Sequence, residues 1–379
     1  MRLSRRLLRY ASAILLAVII VSLGGGQAFG QRGIPPLGPL PPVPVPPDNP
    51  VTPEKVELGQ LLFFDPRLGG DLSTPCSRCH DPAQGWGTDS PLSPGYPGTQ
   101  HWRNAQTILN SAHYAKLFWE GSSLSLERQA PAAAQGNLAG NGDPIMMEER
   151  LAQVPEYVSR FKQVFGIDRP GIMQAWMAIA AFERTLVSDP AKVPFDRYAN
   201  GDRNALPLAA KRGLALFMGK AGCIQCHNGP LASDQDYHNL GLPEHPLFRT
   251  MPLAQVAHRY EQYIKGVPEA RYRAADRDLG LYYVTKRPED IGKFRTPSLR
   301  ELKYTAPYMH NGLFSTLDEV IDFYNAAAGP APGKSPLLKP LGLTAQEERD
   351  LRAFLESLSS DEPPHIMDPP ELPPYAVMK

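Results

Sequence analysis

The chain has no surplus of either charge. Its 39 lysines and arginines are matched by 39 aspartates and glutamates, so nothing in the balance points to nucleic-acid binding. It also lacks any run of strictly alternating apolar and polar residues, which argues against a sheet-based fold. No apolar run is long enough for a comfortable membrane span, which takes about 20 residues. The longest, from Ala11 to Leu23, follows Arg2, Arg5, Arg6 and Arg9 and precedes small residues from Gly24 to Gly30. That is the layout of a secretory signal peptide over residues 1–30; an uncleaved N-terminal anchor is the other reading. Removing those four arginines leaves 35 basic against 39 acidic side chains, a net charge of −4. Cysteine is scarce as well, with four in the whole chain.

What is present is a globular body between two proline-rich ends. Residues 31–54 read "IPPLGPLPPVPVPPDNPVTP" at their centre, an extended, semi-rigid linker. Residues 361–379 are a second proline-rich tail, either a disordered end or a strap over the surface. Between them the segments "PEKVELGQLLFF", "PGIMQAWMAIAAFERTLVS", "ALPLAAKRGLALF" and "TAQEERDLRAFLESL" carry 3.6-residue periodicity. Long Gly/Pro/Asn-rich connections separate them, such as 81–104 and 229–256. The expected fold is mainly α with little β. A hydrophobic content of 42% is sufficient for a real core.

All four cysteines fall in two copies of one pattern, "CSRCH" (Cys76, Cys79, His80) and "CIQCH" (Cys223, Cys226, His227). Two thiols three residues apart reach the two vinyl groups of one haem, and the next residue places an imidazole under the iron. A redox pair, half a zinc site or two disulfides are the competing readings. Two complete motifs that consume every cysteine favour two covalently bound c-type haems, with His80 and His227 as proximal ligands. Each motif follows a helical segment, so the chain repeats a small cytochrome-like unit. This predicts an N-terminal haem domain over 55–204 and a C-terminal one over 205–360.

A third feature is the helix "STLDEVIDFYNA". Thr316 and Glu319 form a capping box, and Leu317, Val320, Ile321 and Tyr324 fall on one face. A phenol at the end of that stripe reads most simply as core packing, with its hydroxyl tied to a carbonyl.

The segments "LGQLLFFDPRL", "CSRCHDPAQG", "RNAQTILN", "FWEG", "PFDRY", "KFRTPSLRELKYTAPYMHNG" and "TLDEVIDFYN" resemble the bacterial dihaem cytochrome c peroxidases and their MauG-like relatives, over about residues 55–358. The resemblance gives Tyr324 a different role. Fourteen residues after His310 of "PYMHNG", it stands where the peroxidases carry a methionine ligand and MauG-like proteins a tyrosine. It is then the sixth ligand of the second haem, a hard anionic donor that favours ferric iron. The resemblance also implies that Trp119 of "FWEG" lies between the haems. Gln129 and His310 are then catalytic, and Asn104, Thr305 and Pro307 hold a calcium ion through oxygen donors.

Two departures from the family accompany these matches. The removable histidine ligand of the first haem is replaced by Tyr96, which leaves three readings: an open haem, Tyr96 as ligand, or His101 as ligand. The acid–base glutamate is replaced by Met146, with Asp143, Glu148 and Glu149 nearby. The implied function is an exported, periplasmic oxidoreductase. Hydrogen peroxide would react at the first haem, with electrons from a cytochrome, a copper protein or a protein substrate. The alternative is a non-enzymatic dihaem electron carrier.

Overall fold

In the computed structural model, residues 33–274 and 276–376 are described, so the signal-peptide reading of residues 1–30 lies outside them. The unit that begins at Pro36 contains both cysteine motifs. Its first half holds α1 (Pro53–Phe64), α2 (Leu126–Ala134), α3 (Pro144–Ala152), α4 (Pro155–Phe165) and α5 (Ile172–Glu183). The second half holds α6 (Pro194–Ala199), α7 (Leu208–Met218), α8 (Pro246–Thr250), α9 (Pro252–Ile264), α10 (Glu269–Ala274), α11 (Tyr282–Thr285), α12 (Leu317–Asn325) and α13 (Ala345–Glu356). The strands β1 (Tyr237–His238) and β2 (Phe294–Arg295) form a two-residue antiparallel ladder, Tyr237 opposite Arg295. The mainly helical expectation holds.

Local sequence explains where the helices start. Thr52 accepts a hydrogen bond from the Lys55 amide at the head of α1, with Pro53 in the first turn. Thr316 with Glu319 and Thr344 with Glu347 form complete capping boxes at α12 and α13.

Two helix pairs organise the interior, and they are built alike. In each half, the helix that leads into the cysteine motif crosses the last helix of that half: α1 on α5, and α7 on α13. Leu58, Leu62, Phe63, Trp176, Ile179 and Phe182 fill the first crossing. Phe217, Leu351 and Phe354 fill the second. Each crossing point is a glycine. A Cβ on Gly59 would lie 2.0 Å from the Ala178 carbonyl oxygen, and one on Gly213 would lie 1.9 Å from that of Asp350. No side chain fits there without separating the helices.

The proline-rich ends are straps. Gly38 accepts from Arg300 at 2.6 Å, Pro41 from His113 at 3.0 Å, and Asn49 donates to Glu127 at 2.8 Å. At the other end Pro373 accepts from Arg67 at 2.6 Å and the Ala376 amide donates to Gln153 at 2.9 Å. Among the described residues no helix is long and apolar enough to cross a membrane.

The stretch read as a 229–256 connection is more ordered than periodicity suggested, for α8 and most of α9 fall in and just after it. Helix α9 escapes a simple amphipathic reading because apolar residues occupy two of its faces. Ala254 and Ala257 are buried while Leu253, Val256 and Tyr260 are exposed.

An exposed helical Gly→Ala change normally stabilises by about 0.5–1 kcal/mol. Gly59→Ala and Gly213→Ala should do the opposite, because overpacking costs about 1–3 kcal/mol. Urea unfolding of each variant measures the sign, and a midpoint at or above that of the parent would contradict the close crossing.

Candidate cofactor sites

The two cysteine motifs adopt the same local geometry. Cys76–Arg78 and Cys223–Gln225 are single 3-10 turns, and the following histidine amide bonds back to the first cysteine, His80 to Cys76 at 3.1 Å and His227 to Cys223 at 2.9 Å. Each imidazole is then turned by a backbone carbonyl. His80 Nδ1 lies 3.2 Å from the Trp86 oxygen, and His227 Nδ1 lies 3.0 Å from that of Ala232. With Nδ1–H donated there, Nε2 is left as a lone-pair donor, the arrangement by which outer hydrogen bonds orient a metal-bound histidine. Burial holds both histidines below their ordinary pKa, so both are neutral.

None of the four cysteines is in a disulfide. Burial pushes the Cys76 thiol up to about 12, Cys79 to about 11 and Cys223 to about 12. A reactive redox cysteine needs a lowered pKa, so these motifs do not suit thiol redox chemistry. As thioethers to a haem they would carry no charge at all.

A cavity of about 1140 Å³ opens over the second motif, larger than the roughly 300–1,000 Å³ of ordinary ligand pockets. Cys223, Cys226, His227 and Tyr324 all line it, with Leu313, Phe314, Leu317, Val320 and Ile321 as apolar walls. A flat apolar macrocycle with one proximal and one distal ligand fits that set. The Tyr324 hydroxyl makes no hydrogen bond among the described residues, so the carbonyl expected of a packing tyrosine is missing. Burial, with Cys223 and Cys226 adding to it, raises the phenol pKa.

The same fold segment occurs in the first half at a constant offset of 191 residues. Asn110 and Glu301 both take positive φ, 62° and 61°, and each opens a 3-10 turn. Phe118 and Met309 follow at 64° and 76°, then Gly121 and Gly312 at 70° and 62°. The bridges Leu117–Ser123 and Tyr308–Phe314 close the turns, and Ser125 and Thr316 start α2 and α12. In this register Trp119 corresponds to His310 and Gln129 to Val320. Tyr324 corresponds to Ala133. Helix α2 therefore has no donor side chain where α12 has its phenol.

Trp119 and His310 meet at the junction of the halves, rings 6.3 Å apart and edge-on. Trp119 Nε1 donates to the Asn104 carbonyl at 2.9 Å, and the Asn104 amide donates to the His310 carbonyl at 2.8 Å. His310 stacks on Phe294 at 3.7 Å, and its Nε2 is buried without a partner. Burial lowers its pKa to about 4, so the ring is neutral. The Asn104 side chain donates to Ser90 at 2.9 Å. The Asn104 side-chain oxygen and the Thr305 and Pro307 carbonyls accept no hydrogen bond among the described residues, and all three residues line the cavity.

Behind this junction lies an ion cluster that sequence reasoning missed. Asp278 accepts from Trp102 Nε1 and from Arg103 Nη2, each at 2.9 Å, and Arg103 also pairs with Glu120. A lone Asp between loops gives no periodic signal. Glu183 was missed for a similar reason, as one acid in the apolar helix of "IAAFERTLVS". It is buried, and burial pushes its carboxyl up to about 8.

Around the first motif, the Cys79 sulfur lies 3.6 Å from the Pro94 carbonyl, so the loop carrying Tyr96 borders this site. The Tyr96 ring packs on Gly70. His101 stacks on Trp102 at 4.5 Å and its Nδ1 accepts the Arg103 amide at 3.2 Å. Met146 is 51% exposed on α3. The three carboxylates near it have structural partners: Asp143 caps α3 at the Met146 amide, Glu148 accepts the Ile172 amide, and Glu149 pairs with Arg169. Gln129 is half-buried on α2.

Asp278→Asn should destabilise by about 3–5 kcal/mol, since it leaves Arg103 buried with one partner fewer. Arg103 holds the Asp278 carboxyl far below the ordinary 3.8 against the cost of burial. That stabilisation is intact above about pH 4 and is lost only as pH falls below it. Thermal unfolding from pH 7 to pH 2 should show the parent and Asp278→Asn converging in acid; a constant gap would contradict the pairing.

A family model described as di-haem cytochrome c peroxidase matches residues 53–204. The chain is 63% identical over 360 residues to cytochrome-c peroxidase IdrP1 of Denitromonas iodatirespirans, covering 95% of this chain and 96% of that one. It is 37% identical over 330 residues to methylamine utilization protein MauG of Methylorubrum extorquens, covering 86% and 83%. The crystal structure of a MauG-like protein associated with microbial copper homeostasis matches with a TM-score of 0.71 at 31% identity, covering 86% of this chain and 94% of that one.

Proposed function

Since the chain belongs to the di-haem cytochrome c peroxidase and MauG family, we propose that it is an exported peroxidase whose two haems divide the work unequally. The family is one of haem oxidoreductases, and its di-haem character implies two haem c groups. Cys76, Cys79 and His80 would hold the N-terminal haem, which would supply the iron for chemistry with hydrogen peroxide. Cys223, Cys226, His227 and Tyr324 would hold the C-terminal haem, which would supply the electron-transfer centre. The observation that carries this reading is the contrast between equivalent positions, Tyr324 on α12 and Ala133 on α2. A methyl group cannot ligate iron, so α2 leaves its face open to a small molecule.

Bound haem would supply the redox chemistry itself, an accessible iron in the first site and an oxidised iron favoured by a hard phenolate in the second. The chain's residues supply position and protons. Gln129 stands four residues before Ala133, on the same face of α2, and its amide orients the peroxide. Trp119, pinned by its bond to Asn104 and set edge-on to His310, bridges the two sites. Neutral His310, with a free buried Nε2, serves as a hydrogen-bond partner inside the cavity. The unpaired oxygens of Asn104, Thr305 and Pro307 support one calcium ion at the junction. The two haem-bearing halves form domains of 55–204 and 205–360, and the leader directs the chain to the periplasm. Electrons come from a soluble cytochrome or copper protein, or from a protein substrate.

Two substitutions test the asymmetry. Ala133→Met places a thioether where α12 has its phenol, and should close the first haem and abolish rapid cyanide binding by the ferric protein. Tyr324→Phe should leave cyanide binding at the first haem intact while converting the second to high-spin absorption. Unchanged cyanide binding in Ala133→Met, or an unchanged spectrum in Tyr324→Phe, would overturn the assignment.

A further inference from the structure

Helix α9 buries one face and leaves an apolar stripe on another. Ala254, Ala257 and His258 face inward, where Ala254, Ala257 and Phe248 of α8 pack on Leu92, Trp102 and Leu138 of the first half. Leu253, Val256, Tyr260, Tyr263 and Ile264 form the exposed stripe, with Val256 64% and Tyr263 62% exposed. The helix is tied down by Gln255 to the Phe248 carbonyl at 2.6 Å, and the exposed stripe by Asn137 to the Tyr260 hydroxyl at 2.9 Å. A fixed, contiguous apolar patch on a surface marks an interaction site.

Charge around the stripe indicates what docks there. Residues 246–277 carry six arginines and lysines against three carboxylates, within a chain that beyond its leader is net acidic. Two of the basic groups are neutralised locally, Lys265 by Glu261 and Arg273 by Glu269. Arg249, Arg259 and Arg277 have no ion pair among the described residues. The patch also touches the electron path, because Pro246, Arg249 and Arg277 line the same cavity as His227 and Tyr324. An apolar contact ringed by unpaired positive charge, at the mouth of a haem cavity, suits a transient electron donor. Charge steers the encounter, and the apolar centre needs little area to hold it briefly.

Building on the peroxidase reading, we propose that α8–α9 is the docking surface for a small acidic redox protein, which delivers electrons to the C-terminal haem. Each docking event transfers one electron. Two such electrons with two protons reduce one hydrogen peroxide to two waters, so donors must bind and leave twice per turnover. A stripe of this size, without deep pockets, permits that exchange.

The test uses the full-length holoprotein, reduced plastocyanin as an acidic probe, basic mitochondrial cytochrome c as its counterpart, and a small organic one-electron donor as control. Peroxide-dependent oxidation of plastocyanin should be favoured over that of cytochrome c and should fall steeply with added salt. Val256→Glu with Tyr263→Glu, and separately Arg259→Glu, should lower the second-order rate with plastocyanin about tenfold through KM. Oxidation of the small donor should be unchanged. Plastocyanin binding by surface plasmon resonance at low salt should weaken by the same factor. Loss of small-donor oxidation in the parent would refute the peroxidase reading instead. Full activity and binding of both variants with plastocyanin, a preference for the basic cytochrome, or a dimer dispersed by Val256→Glu with Tyr263→Glu would overturn the docking proposal.

Discussion

The backbone of Asn104 makes two hydrogen bonds at the joint between the halves, one across it and one within the first half. Its amide donates to the His310 carbonyl, and its carbonyl accepts from the Trp119 indole. One residue thereby fixes a tryptophan of the first half against a histidine of the second. Both rings are on tight turns with positive φ just before them, at Phe118 and Met309, so neither can relax without unfolding its turn. The buried Arg103–Asp278–Glu120 cluster stiffens the segment from behind, beginning one residue earlier in the chain.

The two halves are variations on one design. Each has a helix with a glycine crossing, a CxxCH turn whose histidine is oriented through Nδ1, a glycine-closed turn and a helix that follows that turn. The differences between the copies are therefore informative. Where the second copy has Val320 and Tyr324, the first has Gln129 and Ala133. An apolar side chain and a phenol are exchanged for an amide and a methyl group. Proline-rich straps at both ends then hold the copies, the leading one bonded to residues of both halves and the trailing one bonded to the first.

Much of this was legible in the sequence. The cysteine motifs, the helices that cross at Gly59 and Gly213, and the capping box before Tyr324 are short-range patterns, and each appears where spacing put it. The offset of 191 residues was also there to be read, in Gly121 with Gly312 and in the cap pair Ser125 and Thr316. It was hidden because the intervening positions share few side chains. What spacing could not reveal were tertiary pairings. Asp278 finds Arg103 only through folding, and α9 looks like a connection because its apolar residues serve two surfaces. The tail could equally have been loose, and it is held by tertiary contacts to Arg67, Gln153, Val187 and Gln60 that no local pattern announces.

The unequal division between the halves can be read directly from the iron. Electron paramagnetic resonance of the resting ferric holoprotein separates high-spin from low-spin haem and counts each. One high-spin and one low-spin signal in equal amounts are expected, the former from the half with Ala133 and the latter from the half with Tyr324. Two low-spin signals would mean that another side chain closes the first site, and would contradict an open peroxide-binding haem.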